Sequence, residues 1–237
     1  MNSYEILIKL FDKYEISEIE RFEIYEIIKS IFLTDKFQEK FSKRFLHHGK
    51  TTLGEHILED TIITYLLLCN DKGKNVDLEI ALKVSMMHDM YTIPWQNASI
   101  KKDSFFHLHG FTHPIEAVIN SLVYFKKEFK DDRTAKRLID GIIHHMYPFP
   151  VACFNNIEEN ELELFNFKLL KKISRKHIDM IIESSNRCKI GKISICRSKY
   201  LEGRVMSRAD KISTIKQLDG ICDAKALVTG KNKKLID

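Results

Sequence analysis

The chain has 237 residues, of which 44% are hydrophobic and 30% charged, a composition typical of an ordinary soluble globular protein. Lysine and arginine number 38 against 33 for aspartate and glutamate, and this formal charge of +5 suits anionic substrates such as phosphates but does not establish nucleic-acid binding. Only 9 glycines and 4 prolines supply turn signals, which favours helices over many short strands.

The first third of the chain has apolar residues at helical spacing. Over residues 3–46 this spacing predicts two or three helices. The segment TTLGEHILEDTIITYLLLC predicts a further helix, which Thr52 could cap because Glu55 follows three residues later. A turn is expected at 71–77, and Asp77 then starts a helix through DLEIALKVSMMHD.

The second half of the chain also predicts helices, after a loop at 95–112 that is rich in histidine and phenylalanine. The next helix is expected to have Thr112 as its N-cap and Pro114 near its first turn, where proline is tolerated. The segment DDRTAKRLIDGIIHHMYPFP predicts a helix that ends at Pro148 and Pro150. One or two helices are expected over 158–186, and a last one in YLEGRVMSRADKISTIKQLDG.

The cysteines and the apolar runs predict where the protein resides. Five cysteines without a C-x-x-C pair are typical of reduced thiols in the cytoplasm. The N-terminal apolar stretch contains acidic residues, unlike a secretory signal, and the longest apolar run, IITYLLLC at 62–69, is too short to span a bilayer. We therefore expect a soluble cytoplasmic protein that does not enter a membrane.

Histidines and aspartates recur at the ends of the predicted helices. In an antiparallel helical bundle, helix starts and ends alternate along one layer, so these side chains could converge. Imidazole and carboxylate together suit divalent Fe, Mn, Ni, Co or Zn. Taken singly, each histidine is more often a surface residue or a hydrogen-bonded core residue than a metal ligand. The set is His56, His88, Asp89, His113, His145 and Asp210.

Five sequence blocks in order carry a family resemblance: HHGKTTLGEH (47–56), MMHDMYTIPW (86–95), HGFTHPIEAVINS (109–121), IIHHMYPFP (142–150) and ADK (209–211). Over residues 44–152 and 196–220 the chain resembles the HD-domain superfamily of metal-dependent phosphohydrolases, and within it the small HD-domain proteins of Firmicutes. The resemblance implies an all-α bundle of about five core helices around a metal site. Residues 1–40 would be an N-terminal helical extension, 41–222 the HD domain with a helical insertion at about 153–195, and 223–237 a tail.

The resemblance also implies the roles of the metal-binding residues. His56, His88, Asp89 and Asp210 would bind a first metal ion, and His113 and His145 would be the additional histidines of members that hold two. Asp89 would then bridge the ions, and a metal-activated hydroxide between them would be the nucleophile. His144 is a second candidate for the position of His145, although the second histidine of HHM matches the family block better.

Residues beside these blocks are candidates for substrate binding. His47, His48 and Lys50 lie in a loop that could hold a phosphate through imidazoles and backbone N–H groups. Arg208 belongs to a run of basic residues that could line a phosphate site, or could be a solvated face.

Three further residues have both a functional and a plain interpretation. His109 could donate a proton to the leaving oxygen, or be an ordinary loop histidine. Lys211 could reach a phosphate, or point to the surface. Asp60, one turn after the predicted ligand His56, could fix the tautomer of that imidazole, or be a solvated helix charge.

These observations predict a phosphomonoesterase or phosphodiesterase that acts on a nucleotide or another small phosphorylated molecule. An alternative is a nucleotide-binding or signalling module with a retained metal site and little turnover, since the 153–195 segment and the N-terminal helices suit partner surfaces. A nuclease is a third possibility, against which the small net charge argues. The sequence leaves the oligomeric state open, and the apolar N-terminal helices could form the interface of a homodimer.

Overall fold

The computed structural model describes residues 2–47, 51–70, 75–92, 109–154 and 167–219. Within these ranges the chain is mainly helical, which confirms the predicted all-α class. The chain forms two compact units, the first comprising Met1–Met86 and Arg208–Asp237 and the second Met87–Ser207. None of the described helices is both long enough and apolar enough to cross a bilayer.

The first unit begins with helices α1 (Ser3–Lys13), α2 (Glu18–Phe32) and α3 (Asp35–Gln38), followed by a 3-10 turn at Glu39–Phe41. Helices α1 and α2 each begin with a capping box, in which the cap side chain and a glutamate three residues later satisfy each other's backbone N–H groups. The prediction of two or three helices over residues 3–46 is therefore confirmed.

Two further helices of the first unit have the predicted N-caps. Strands β1 (Leu46–His47) and β2 (Thr51–Thr52) pair antiparallel ahead of α4 (Leu53–Asn70). Thr52 Oγ1 accepts a hydrogen bond from the backbone N–H of Glu55 at 3.3 Å, at the start of α4. Asp77 Oδ1 accepts one from Ile80 N–H at 3.1 Å, at the start of α5 (Leu78–Met87). Both caps were predicted from the sequence.

The second unit is built on α6 (His109–Tyr124), α7 (Asp132–Ile143), α8 (Phe167–Leu170) and α9 (Arg175–Ser185). Helix α7 packs against α6 and α9. A small antiparallel sheet, which the sequence did not predict, has the strand order β3 (Val151–Ala152), β5 (Ile193–Ser194) and β4 (Lys189–Ile190). Helix α10 (Leu201–Asp219) confirms the predicted last helix.

Helices α7 and α10 approach unusually closely within the second unit. A Cβ atom at Gly203 of α10 would lie 2.6 Å from the Cα atom of Gly141 in α7. Only a residue without a side chain fits there. One turn further along α10, Ser207 Oγ donates a hydrogen bond to the backbone carbonyl of His145 at 2.5 Å.

Two predicted helix ends were wrong. Helix α6 begins at His109, so Thr112 lies inside the first turn, where its hydroxyl donates to the His109 carbonyl at 3.5 Å. Helix α7 ends at Ile143, before the prolines that were expected to stop it. At this end, the side chain of His145 places Nδ1 2.7 Å from the Ile142 carbonyl and satisfies one of the last carbonyls of the helix without a further turn.

Candidate metal centre

Asp89, His113 and His145 form a buried cluster in the second unit. Asp89 lies two residues beyond α5, His113 lies early in α6, and His145 follows the end of α7. Nε2 of His113 is 3.0 Å from Nε2 of His145, and Asp89 Oδ1 is 3.3 and 3.5 Å from these two nitrogens. The three residues are at most 5% exposed, and their ligand atoms lie within 4.8 Å of one another.

Backbone carbonyls determine which ring nitrogen of each histidine faces this cluster. His113 Nδ1 lies 3.0 Å from the carbonyl of His109, and His145 Nδ1 lies 2.7 Å from that of Ile142. Because a carbonyl oxygen only accepts, Nδ1 carries the proton in both rings, and the neutral ring has its lone pair on Nε2. Two nitrogen lone pairs and a carboxylate oxygen therefore converge, which is a donor set suited to a divalent cation.

The charge of Asp89 is also set by its surroundings. Burial alone would raise the pKa of this carboxyl, but the neighbouring histidines, His88, His113 and His145, outweigh that effect when they are protonated and hold the pKa well below its usual value. His88 is fully buried, with Nε2 3.7 Å from Asp89 Oδ2. Asp89 is therefore ionised at pH 7, and a buried carboxylate requires positive charge nearby.

His109 lies beside the cluster, and its ring stacks on that of His113 with the centroids 5.0 Å apart. Burial, and secondarily the charge of His113, lowers the pKa of His109 to about 3. The imidazole is thus neutral at pH 7 in the metal-free protein. Its role as a proton donor stays a prediction.

A second group of buried ligand-type side chains lies in the first unit. His56 and Asp60 are one turn apart on α4, with His56 Nε2 3.1 Å from Asp60 Oδ2. Asp210 of α10 places Oδ1 3.4 Å from the same nitrogen, and the ligand atoms of the three residues lie within 4.8 Å of one another. His56 and Asp60 are completely buried, so the interpretation of Asp60 as a solvated helix charge was wrong.

The two carboxylates of this group strongly influence each other. Burial raises the pKa of Asp60 well above its usual value, and the charges of Asp210 and Glu59 raise it further, against the opposing effects of His56 and Ser213. Two carboxylates beside one imidazole carry more negative charge than a buried site tolerates without a proton or a cation. This donor set also fits a divalent metal ion.

The structure shows where several other candidates lie. The ring of His47 in β1 stacks on that of His56, with the centroids 4.0 Å apart. Lys211 is partly buried, and burial lowers the pKa of its ammonium group. Arg208 is exposed. His48 and Lys50 lie outside the described residues.

His144 does not share the surroundings of His145. Its Nε2 lies 3.1 Å from the carbonyl of Ser184, and its Nδ1 lies 3.7 Å from Cys196 Sγ. The preference for the second histidine of the HHM block is consistent with this geometry, since His145 is the one that contacts Asp89.

Two residues of α6 hold the backbone that carries Asp89, and the sequence analysis missed both. Glu116 Oε1 accepts hydrogen bonds from the N–H and the hydroxyl of Thr92, at 2.7 and 2.6 Å. Asn120 Nδ2 donates to the carbonyl of Met90 at 2.7 Å. Both side chains are buried, and they follow His113 on the same helix by one and two turns. Polar residues at this spacing within an apolar helix were the available signal.

Comparison of the chain with protein-family models, with characterised proteins and with solved structures finds no match to any of them. Membership of the HD-domain superfamily therefore stays a prediction from the five sequence blocks. The geometry of the two buried groups stands independently of that resemblance.

Proposed function

We propose that the protein is a metal-dependent phosphohydrolase, a phosphomonoesterase or phosphodiesterase that acts on a nucleotide or another small phosphorylated molecule. One observation carries the proposal: two imidazole nitrogens and the Asp89 carboxylate converge in a buried space, and this donor set suits a divalent cation. The His56, Asp60 and Asp210 group supports it. The reaction class comes from the resemblance, and the ligand set that the resemblance implies is retained in the proposal.

The proposed metal ion supplies Lewis acidity, which polarises a phosphoryl oxygen and lowers the pKa of a coordinated water. The chain's own residues hold the ion and fix its ligands. The carbonyls of His109 and Ile142 orient the two imidazoles, so that neither ring has to turn when the ion binds. Met87 and Tyr91, on either side of the His88 and Asp89 pair in the sequence, are buried at 0% and 2% exposure.

The donor set restricts which metal ions suit the site. Nitrogen and carboxylate oxygen ligands favour Fe, Mn, Co, Ni or Zn, and among the described residues neither group contains a cysteine. Thiolate-preferring ions such as Cu(I) are therefore not expected. The identity of the metal is a matter for elemental analysis.

The proposal is tested by measuring the metal content of the purified protein beside an Asp89→Ala variant. We expect about two equivalents of one such metal in the wild type and a loss in the variant. The matched control is Asp179→Ala, which removes an exposed carboxylate from α9 in the same unit and should leave the metal content unchanged. Absence of metal from the wild type, even after reconstitution, would overturn the proposed function.

Activity is the second test. The metal-loaded protein should hydrolyse some member of a panel of phosphomonoesters, phosphodiesters and nucleotides, and Asp89→Ala should not. A loaded protein that retains a nucleotide tightly without turnover would replace the hydrolase with the nucleotide-binding module.

A further inference from the structure

A pocket in the second unit is lined by none of the proposed metal ligands. It has a volume of about 130 Å³, and α7, α9 and the segment leading into α10 line it. Since a cavity needs only about 10–15 Å³ to hold a water molecule, a tetrahedral oxyanion also fits. The polar lining residues that matter here are Lys136, Asp140, Glu183, Ser184, Arg187 and Lys199.

Asp140 forms the buried part of this lining, and its carboxylate is already well satisfied. Its Oδ2 accepts hydrogen bonds from Ser198 Oγ at 2.6 Å and from Lys199 N–H at 2.7 Å. Its Oδ1 accepts one from Ser184 Oγ at 3.2 Å and pairs with an Arg187 guanidinium nitrogen at 3.0 Å. Asp140 therefore fixes the guanidinium and the backbone of Lys199, and its negative charge is largely compensated.

The remaining charges of the pocket favour an anion. Once Asp140 and Arg187 compensate each other, two lysines, Lys136 and Lys199, remain against Glu183. Across the described ranges, neither lysine has a carboxylate within 4.0 Å of its ammonium group. The cationic groups come from three separate segments of the chain, so they converge through folding and do not form a single basic run.

The guanidinium-bearing Arg187 also lines the pocket. Arg187 Nε is buried, and it has no hydrogen-bond acceptor among the residues that the structure describes. The terminal nitrogen of the same group already donates to the carbonyl of Arg197 at 2.7 Å, which holds the guanidinium in place.

We propose that this pocket binds a small oxyanion, either free phosphate or the phosphate group of a phosphomonoester, through Lys136, Lys199 and Arg187. Lysine supplies point charges, and the guanidinium supplies N–H donors suited to phosphate oxygens. The site is independent of the proposed metal centre, because none of its residues is a proposed metal ligand. It would give the protein a second position at which phosphate or a phosphorylated molecule is recognised.

The test is isothermal titration calorimetry of the full chain in EDTA, with inorganic phosphate in one series and adenosine monophosphate in the other. We expect saturable binding that weakens with added salt, and a loss of about tenfold or more in affinity in the Lys136→Gln, Lys199→Gln double variant. The matched control is Lys127→Gln, which removes an exposed lysine of the same unit from the turn at Lys126–Glu128 and should bind like the wild type. Tighter binding of the nucleotide than of phosphate would assign the site to a phosphomonoester, and the reverse to the free anion.

Two further variants keep the result interpretable. Arg187→Lys keeps the charge but removes the planar guanidinium with its several N–H donors, and it should weaken binding without abolishing it. Asp89→Asn should leave the affinity for phosphate in EDTA unchanged, so a failure of the proposed hydrolase and a failure of this site are distinguishable. The inference is overturned if no binding occurs at about 10 mM phosphate, or if the double variant binds as tightly as the wild type while its thermal midpoint is unchanged.

Discussion

Replacing Asp140 by asparagine is the most direct test of the buried network of the second unit. The substitution keeps the shape of the side chain and removes its charge. Asparagine retains one acceptor oxygen. Its amide NH2 group is a donor, and it would face donors from which the carboxylate accepts hydrogen bonds in the wild type. The four partners at stake are Ser184, Arg187, Ser198 and Lys199.

The size of the effect follows from burial and charge. Asp140 is 5% exposed, and hydrogen bonds to a charged group contribute about 1.5–3 kcal/mol each. Breaking a fully buried ion pair costs about 3–5 kcal/mol, but the Arg187 side chain is 30% exposed and water can partly replace its partner. We therefore expect Asp140→Asn to lower the free energy of unfolding by about 2–4 kcal/mol, a large share of the roughly 5–15 kcal/mol that proteins possess.

The assay is urea unfolding followed by circular dichroism. The matched control is Asp179→Asn on α9, which breaks an ion pair with Arg175. The side chain of Arg175 is 81% exposed and that of Asp179 is 57% exposed. Such a surface pair contributes little, so the control should lie within about 0.5 kcal/mol of the wild type. A loss of less than about 1 kcal/mol in Asp140→Asn would refute the reasoning, because a buried carboxylate with four partners cannot be that dispensable.

Two other predictions concern the surroundings of Asp89. Glu116→Gln removes the charge that holds Thr92. In a calorimetric titration it should weaken metal binding by about 10- to 100-fold, as is typical when residues that support metal ligands are replaced. An unchanged affinity would mean that Glu116 has no part in placing Asp89. For His109, the folded pKa of about 3 lies below the ordinary value of 6.5, so the unfolded chain binds more protons between these pH values and stability falls as pH falls through that window. In urea unfolding with EDTA, His109→Gln should therefore lose less stability than the wild type between about pH 6.5 and 4, and parallel losses would contradict the assigned burial effect.

The sequence predicted the helices and their starts well where a local signal existed. The caps at Thr52 and Asp77 depend on a side chain reaching a backbone N–H three residues on, which requires no knowledge of the rest of the chain. The predicted end of α7 was wrong: the helix ends before the prolines, where the His145 side chain contacts the Ile142 carbonyl, and composition gives no sign of that contact. Strand β3 pairs with β5, which is far away in sequence, whereas β4 and β5 form a hairpin; each strand has two residues, too few to show alternation.

For the candidate site, the sequence predicted the types of ligand residues but not their geometry. Residue type and position at helix ends selected His113, His145 and Asp89, and the structure brings those three together. The sequence did not decide whether Asp60 supports the His56 imidazole or is a solvated helix charge, because sequence alone does not reveal burial. It missed Glu116 and Asn120 since their partners are backbone groups of another segment.

The close approach of α7 and α10 at Gly141 and Gly203 has a consequence for how this protein tolerates change. Inside a helix, alanine is ordinarily favoured over glycine by about 1 kcal/mol, so helix propensity by itself would reward Gly203→Ala. At this crossing a methyl group would meet the backbone of the other helix, and the ordinary preference is reversed. Ser207, one turn away, holds the backbone carbonyl of the proposed ligand His145. In a library of random variants, substitutions of Gly203 should therefore be rare among the variants that fold and among those that retain metal.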